Sequence, residues 1–256
     1  MARKIRRLTT IGILGLGEVG SAIKKLAKDK FIVLVKDLKI NEFHQSQIKV
    51  LHVCIPYTGH FNQTVIRAVQ AYQPKLVIIN STVKPGTTRI IYQSTQVHIV
   101  HTPIMGVHPN LAKYQKQFIK VIGAMDKASY KLARAHWQRL GAPKIIPFSS
   151  PEQSELAKLL CTTYYGWNII FNKIVYRLCQ QTGTDFNQVY TQFNQVYNLG
   201  YKKTKPNVIR PILNHIPGPI GGHCIIPNLE ILNTITKDKA LKWMLLFNQQ
   251  LEDEPI

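Results

Sequence analysis

Gly15-Leu16-Gly17-Glu18-Val19-Gly20 follows the apolar run Ile11–Leu14 and opens the amphipathic stretch Ser21–Lys28. A G-x-G-x-x-G alone is a weak signal. Between a strand-like run and a helical pattern it has the setting that a dinucleotide-binding turn requires. Gly15 allows the tight turn, Gly17 lets the backbone approach a pyrophosphate, and Gly20 lets helix and strand pack closely. The free N–H groups at the helix start then face the phosphate oxygens. A second apolar run, Phe31–Val35, leads to Asp37, the acid expected to accept hydrogen bonds from the adenine-side ribose. That favours NAD over NADP, a preference softened by the flanking Lys36 and Lys39.

The alternation continues outward from this unit. Apolar runs fall at Val50–Ile55, Leu76–Ile79, Val97–Val100 and Phe118–Ile122, with helical patterns at Phe61–Ala71 and Lys127–Leu140 between them. The last helix closes at Gly141 with Pro143 beyond, and Lys144–Pro147 reads as one more strand. The expectation for residues 1–149 is a Rossmann-type, doubly wound α/β domain with a mainly parallel sheet. Ser149-Ser150-Pro151 reads as a boundary, with Ser150 as N-cap, Pro151 at the first helical position and Glu152 in the first turn. Residues 150–256 then read as an all-α domain. Gln153–Gln181 has no proline and one glycine, Gly166, and a helix of that length is about 40 Å long. That exceeds what a small domain needs, so it is expected to serve as a spine and as the contact of a homodimer. Gly183 ends it, Asp185–Tyr197 is a second helix, Lys202–Pro227 is loop-like, and Asn228–Leu251 is helical again.

Of the 256 residues 45% are hydrophobic, which is globular and excludes a disordered tail or a fibrous repeat. Lys+Arg 33 against Asp+Glu 13 gives +20, with only 18% of residues charged, so the imbalance comes from missing carboxylates. It is lopsided: 23 Lys/Arg against 5 Asp/Glu in residues 1–150, and 10 against 8 thereafter. An anionic partner is expected for the N-terminal part. A nucleic acid is possible but not favoured, because no aromatic-interleaved basic stripe appears and the lysines look scattered on solvated helix faces. No uncharged apolar run reaches the ~20 residues that cross a bilayer, so no membrane partner is expected. Arg3-Lys4-Ile5-Arg6-Arg7 before Leu8–Leu16 imitates a signal peptide, but Gly12, Gly15, Gly17 and Glu18 interrupt the stretch and no cleavage site follows. Four sparse cysteines without a C-x-x-C pair suit a reducing cytoplasm, and no metal site is expected.

Further residues carry chemistry. Ser81-Thr82-Val83-Lys84-Pro85-Gly86-Thr87-Thr88 follows the Leu76–Ile79 run, and ligands sit beyond the carboxyl ends of such strands. Ser81 and Thr82 are expected to face the nicotinamide or substrate, whereas Thr87 and Thr88 read equally well as helix caps. Cys54-Ile55-Pro56 ends the preceding strand on the same rim. His101 and His108 are candidates for a base or for binding a substrate anion, against the alternative of loop-packing histidines. His98 and His101 are three apart on a strand, hence on opposite faces, which argues against a zinc pair. Lys158, alone, reads as an ordinary solvated lysine. In Pro217–Pro227, Gly221 and Gly222 precede His223-Cys224, a backbone suited to hugging a substrate. Cys224 reads as a thiolate nucleophile, with a buried structural cysteine as the alternative.

Taken together, Gly15–Gly20, Cys54-Ile55-Pro56, Ser81-Thr82-Val83-x-Pro85-Gly86-Thr87-Thr88, Glu155-Leu156-Ala157-Lys158-Leu159 and Gly221-Gly222-His223-Cys224 resemble the UDP-glucose/GDP-mannose dehydrogenase family. The branch that oxidises UDP-N-acetyl-aminosugars is most similar. The resemblance runs from Ile11 to about Pro227. It implies two successive hydride transfers to NAD that turn a sugar C6 alcohol into a carboxylate. Cys224 would carry the thiohemiacetal and thioester, Lys158 would stabilise oxyanions, and Thr82 would position water and substrate. The chain also departs from that pattern. Thr162 stands where the family has asparagine, Asn228 where it has aspartate, and Pro103-Ile104 where it has Pro-Glu. No counterpart of the family's C-terminal nucleotide-sugar-binding domain is expected in this sequence. A truncated plan of this kind is expected to take a smaller anionic substrate, or one bound partly by a partner subunit. A β-hydroxyacid-type dehydrogenase and a non-catalytic NAD-binding module with a basic nucleic-acid- or anion-binding surface are the alternatives.

Overall fold

The computed structural model describes residues 9–44, 47–222 and 224–251; the basic run Arg3–Arg7 and His223 lie outside the described residues. Strand β1 (Thr10–Leu14) leads through the glycine turn into α1 (Glu18–Ala27), then β2 (Ile32–Asp37), a short β3 (Ile40–Asn41) and β4 (Val50–Val53). Next come α2 (Phe61–Tyr72), β5 (Leu76–Ile79), α3 (Thr87–Thr95), β6 (His98–His101), α4 (Leu111–Gln115), β7 (Lys120–Ala124), α5 (Lys127–Leu140) and β8 (Ile145–Phe148). Among the described residues these strands form one sheet in the order β3-β2-β1-β4-β5-β6-β7-β8. β2, β1, β4, β5 and β6 run parallel, β3 pairs antiparallel with β2, and β7 pairs antiparallel with β6 and parallel with β8. This is the doubly wound, mainly parallel Rossmann-type sheet. The winding reverses between β1 and β4, which is where such sheets bind ligands.

Side chains alternate between the two faces of each strand. Ile11, Ile13, Val35, Val50, Leu76, Ile78 and Val100 pack beneath α1, α4 and α5. Leu14, Leu51, Val53, Val77, Ile79 and Ile99 pack beneath α2 and α3. Helix α5 begins on an Asp126 side-chain cap and stops at Gly141, whose φ of 100° suits glycine.

α6 runs from Pro151 to Thr182, 32 residues and about 48 Å, and ends before Gly183 (φ 64°). A π-helix (Asn187–Gln192) leads into α7 (Phe193–Tyr201), so the second helix expected from the sequence has two windings. The C-terminal helical stretch is two helices, α8 (Ile225–Asn233) and α9 (Lys239–Gln250). α8 begins inside the segment expected to be a loop. Pro227 is tolerated there because it falls in the first turn, where a backbone N–H has no helical partner anyway.

Compact units span Met1–Lys158 and Leu159–Ile256. The division falls inside α6, later than the Ser149-Ser150-Pro151 junction, because the first turns of α6 bond to the first unit. Ser154 reaches His101, and Glu155 reaches Gly86 and Thr88. Among the described residues no helix is long and apolar enough to cross a membrane.

Candidate functional site

The glycine turn is built as its three glycines require. Gly15 has φ 94°, and a Cβ there would lie 2.9 Å from Cys54 backbone atoms. A Cβ on Gly20 would lie 1.9 Å from the Gly15 carbonyl oxygen. At Gly17 a Cβ would meet nothing within 4 Å, so the space above the turn is open. Gly17 is also the N-cap of α1, and no side chain caps that helix start. Asp37 at the end of β2 turns back onto the same turn, accepting from the Leu16 N–H and from the Leu38 N–H. Those two bonds hold its carboxyl below the usual range. Lys36 points elsewhere, its ammonium donating to the Tyr72 hydroxyl. An open cradle, uncapped helix N–H groups and an acid at the strand end fit a dinucleotide.

The rim loops are less free than the sequence suggests. The Ser81 hydroxyl is already engaged: it donates to the Ile55 carbonyl at 2.6 Å and ties the ends of β4 and β5 together. Cys54 is half-buried, and desolvation pushes its thiol far up, so it is no nucleophile. Thr82 is half-buried, while Pro56 is exposed. Gly86 is the N-cap of α3. The start of that helix is held by Glu155, a fully buried carboxylate from α6. It accepts from Gly86 N–H (2.7 Å), Thr88 N–H (2.9 Å) and Thr88 hydroxyl (2.6 Å). Burial raises this carboxyl, and the three donors pull it back down. Lys158, three residues on and half-buried, therefore rides on a helix bonded directly to the threonine loop. Burial lowers both His101 and Lys120, and the charge of Lys158 adds to the fall.

His101 is corrected to a packing histidine. It is fully buried, with Nδ1 2.8 Å from Ser154 Oγ and Nε2 3.2 Å from the Ser81 carbonyl. Burial pushes it down to about 3. His108 is exposed and lies beside the glycine turn, its Nδ1 3.4 Å from Glu18 Oε1. Ile104, where the resemblance has a carboxylate, is buried.

Behind the rim runs a buried polar chain. Asn80 donates through Nδ2 to the Thr102 carbonyl and hydroxyl, which leaves Oδ1 to accept from His52 Nδ1. His52 Nε2 then accepts from His136 Nε2 at 2.8 Å. Burial holds His52 down at about 4, against a rise from the Asn80 bond, and burial also puts His136 well below the ordinary imidazole. Lys120 is equally buried, donating to the Pro103 carbonyl and Gln115 Oε1 with its ammonium 3.9 Å from the Trp137 ring centre.

The second unit holds the thiol loop. Cys224 is exposed and is the N-cap of α8. Gly221 and Gly222 are exposed too. Lys173 of α6, buried, donates to the Ile216 (2.6 Å) and Gly218 (2.5 Å) carbonyls, and Asn248 of α9 accepts from Ile220 N–H at 2.6 Å. The packing accounts for Gly166: a Cβ would lie 2.6 Å from Ile225, the residue after the thiol. Asn228 donates to the Thr162 hydroxyl at 3.0 Å, so the two positions that depart from the family pattern bond each other. Tyr190, on the π-helix, braces the approach to the loop through the Pro211 carbonyl and Leu213 N–H. Between α6 and this loop lies a cavity of about 370 Å³ lined by Tyr165, Ile169, Asn172, Lys173, Leu213 and Asn214. Sequence reasoning gave Glu155 no role beyond its place in a motif, and missed Lys173 and this cavity. A lysine and an amide on the helix face that carries Ile169 are the signals that could have pointed to it.

No family model matches the chain. UDP-N-acetyl-D-mannosamine dehydrogenase of Methanococcus maripaludis (strain C7) is 26% identical over 190 residues, covering 68% of this chain and 41% of its own length. The chain is thus similar in sequence to proteins named UDP-N-acetyl-D-mannosamine dehydrogenase. It spans about two fifths of the length of that relative. Among solved structures, UDP-D-ManNAc dehydrogenase from Pyrococcus horikoshii aligns with TM-score 0.75 at 18% identity, covering 95% of this chain and 69% of that one. The 3-hydroxyisobutyrate dehydrogenase of Mycobacterium tuberculosis aligns with TM-score 0.69 at 15% identity, covering 96% and 94%. At such identities the structural likeness speaks for the fold.

Proposed function

We propose that the protein is an NAD-dependent oxidoreductase acting on a CH–OH group, of the nucleotide-sugar 6-dehydrogenase kind, with Cys224 as covalent nucleophile. The observation that carries the cofactor half is the open cradle at Gly17 with Asp37 turned onto the Leu16 N–H. Bound NAD would supply the hydride acceptor. Asp37 accepts from the ribose hydroxyls, and the uncapped N–H groups of α1 hold the diphosphate. Cys224 adds its sulfur to the aldehyde carbon of the half-oxidised substrate; the C–S bond forms as the carbonyl electron pair moves to oxygen. Lys158 takes up that oxyanion charge; a second hydride leaving that carbon for NAD would convert the thiohemiacetal to the thioester, and Thr82 orients the water that displaces the thiolate from it. The cavity beside Tyr165 and Asn172 seats the part of an anionic substrate remote from the reacting carbon.

A second reading is favoured by one observation. Asn228 and Thr162 bond each other and Ile104 is buried, so no carboxylate stands at these three positions to take a proton from hydrolytic water. A single two-electron oxidation of a hydroxyacid, without a covalent intermediate, needs none. NADH absorbance with NAD and a panel of UDP-sugars, sugar phosphates and hydroxyacids separates the two. Two NADH per substrate, abolished in Cys224→Ala, supports the covalent route; one NADH with an indifferent Cys224 supports the other. Tight NAD binding without turnover on any of them leaves a non-catalytic binding module. The reading carries with it a cytoplasmic location, in keeping with four free cysteines, and a homodimer through α6. That helix exposes Leu160, Tyr164, Trp167, Phe171 and Leu178 at helical spacing, and sedimentation of the Tyr164→Glu/Phe171→Glu variant tests the dimer.

A further inference from the structure

We propose that the layer formed by α1, α4 and α5 docks on the phosphate backbone of double-stranded nucleic acid, independently of the oxidoreductase reading. Ala22, Ile23 and Leu26 of α1, Leu111 of α4, and Ala133, Trp137 and Leu140 of α5 share one core cluster, so the opposite faces of the three helices look outward from the same side of the sheet. Those outward faces carry Lys24 and Lys25, Lys113, and Lys127, Lys131, Arg134 and Arg139, all exposed. The adjoining turns add Lys28, Lys116 and Lys144. α1 and α5 are physically joined at this surface, since the Arg139 guanidinium donates to the Lys30 carbonyl at 2.7 Å and lies over the Phe31 ring. The opposite layer carries fewer: Arg67 on α2, Arg89 on α3, which is paired with Glu152, and Lys75 and Lys84 in the adjoining turns. Most of the exposed lysines and arginines described in the first unit lie on the α1, α4 and α5 layer.

Their charge is uncompensated. Among the described residues the ion pairs are Arg89–Glu152 and His108–Glu18, so none of these lysines or arginines has a carboxylate within reach. The acids on this layer are Glu18 and Asp29 at the two ends of α1 and Asp126, which is held by Ser129. Such a surface costs self-repulsion and gains by releasing counterions from a polyanion. Lys127, Lys131 and Arg134 form one stripe on α5 that rises about 10 Å, a span of about three phosphates along one strand. Leu132 on α5 and Phe118 and Ile119 in the turn after α4 are exposed, which is not the continuous apolar helix face that anchors in a lipid surface. Tyr114 and Tyr130 on these helices are half-buried and Phe118 after α4 is one exposed ring, short of the row of rings that stacks successive unpaired bases, which favours duplex over single strand.

The test is fluorescence anisotropy of the full chain with a 20-base-pair duplex at several NaCl concentrations, comparing the wild type with Lys127→Glu/Lys131→Glu/Arg134→Glu. Sequence-independent binding is expected, with a slope of log K against log salt of about −4 or steeper and at least a 30-fold loss in the triple variant at low salt. Arg67→Glu, on the other layer, should change affinity less than threefold. Lys127→Gln/Lys131→Gln/Arg134→Gln, which keeps good helix formers, should give an intermediate loss, and unchanged circular dichroism guards against misfolding. The proposal is overturned by a salt slope shallower than −2 or by an inert triple reversal. Loss of binding only when residues 1–8 are removed overturns it, as does binding to phosphatidylserine vesicles without binding to the duplex.

Discussion

Beneath α2 and α3 the core is a continuous block of Val, Ile, Leu and Phe, and the polar groups stay at the rim, where Glu155 holds the start of α3. Beneath α5 the same sheet encloses His52, Asn80, Thr102, His136 and Lys120 among its apolar neighbours. Outside, the contrast repeats, with a sparse exterior on the first layer and a dense cationic one on the second. One layer thus has an apolar interior with its titratable group at the rim, while the other encloses two histidines that burial holds toward their neutral form.

The largest expected effect sharpens the first half of that contrast. Glu155→Ala leaves Gly86 N–H, Thr88 N–H and the Thr88 hydroxyl without their acceptor, at a cost of about 3 kcal/mol or more in thermal unfolding. Glu155→Gln, which retains one acceptor, should lose about half of that. A loss in the alanine variant smaller than about 1 kcal/mol would mean the α3 layer does not depend on its rim.

Acid acts on the other layer. His52 is held at about 4 when folded against about 6.5 unfolded, so the unfolded chain binds more protons and stability rises with pH between those values. Acidification from pH 6.5 to pH 4 should therefore remove about 3 kcal/mol through this residue. His136, shifted the same way, adds to the fall. Urea unfolding of wild type and His52→Leu/His136→Leu at both pH values isolates the effect, because carboxylate titration is common to both chains. Equal pH dependence in the two would contradict the contrast.

Smaller effects are expected at the helix ends and on the surface. Asp126→Ala removes the side-chain cap from α5, where Ser129 N–H loses its acceptor, and should cost about 1 kcal/mol. Arg89→Ala breaks an exposed pair with Glu152 and should change the unfolding free energy by less than about 0.5 kcal/mol. A larger change there would show that the outer surface of the α3 layer carries more of the stability than its exposure suggests.

Much of the fold was legible because its signals are local. Leu76–Ile79 is a strand end to end, and Lys127–Leu140 is a helix bounded by Gly141. The three roles of the glycine turn are set by chain geometry alone. Other features depend on partners distant in sequence. Lys120 hides inside a run read as apolar, because only the folded chain brings Pro103, Gln115 and Trp137 around its ammonium. Nothing near Ser81 announces that the Ile55 carbonyl captures its hydroxyl, and nothing near His101 announces its full burial. Gly166 reads as a tolerated blemish in a long helix until Ile225 is found against it. The thiol loop was legible as a loop, whereas the clamps on it, Lys173 and Asn248, come from helices on either side in the chain.

The π-helix at Asn187–Gln192 bears on how this chain is compared with others. A π turn accommodates a residue more than an α turn, and each added residue rotates the remainder of the helix by about 100° around the axis. Aligning this segment with a relative whose helix winds regularly therefore demands a one-position gap at the π turn. Without that gap, every column from Phe193 to Tyr201 would pair side chains that point in different directions.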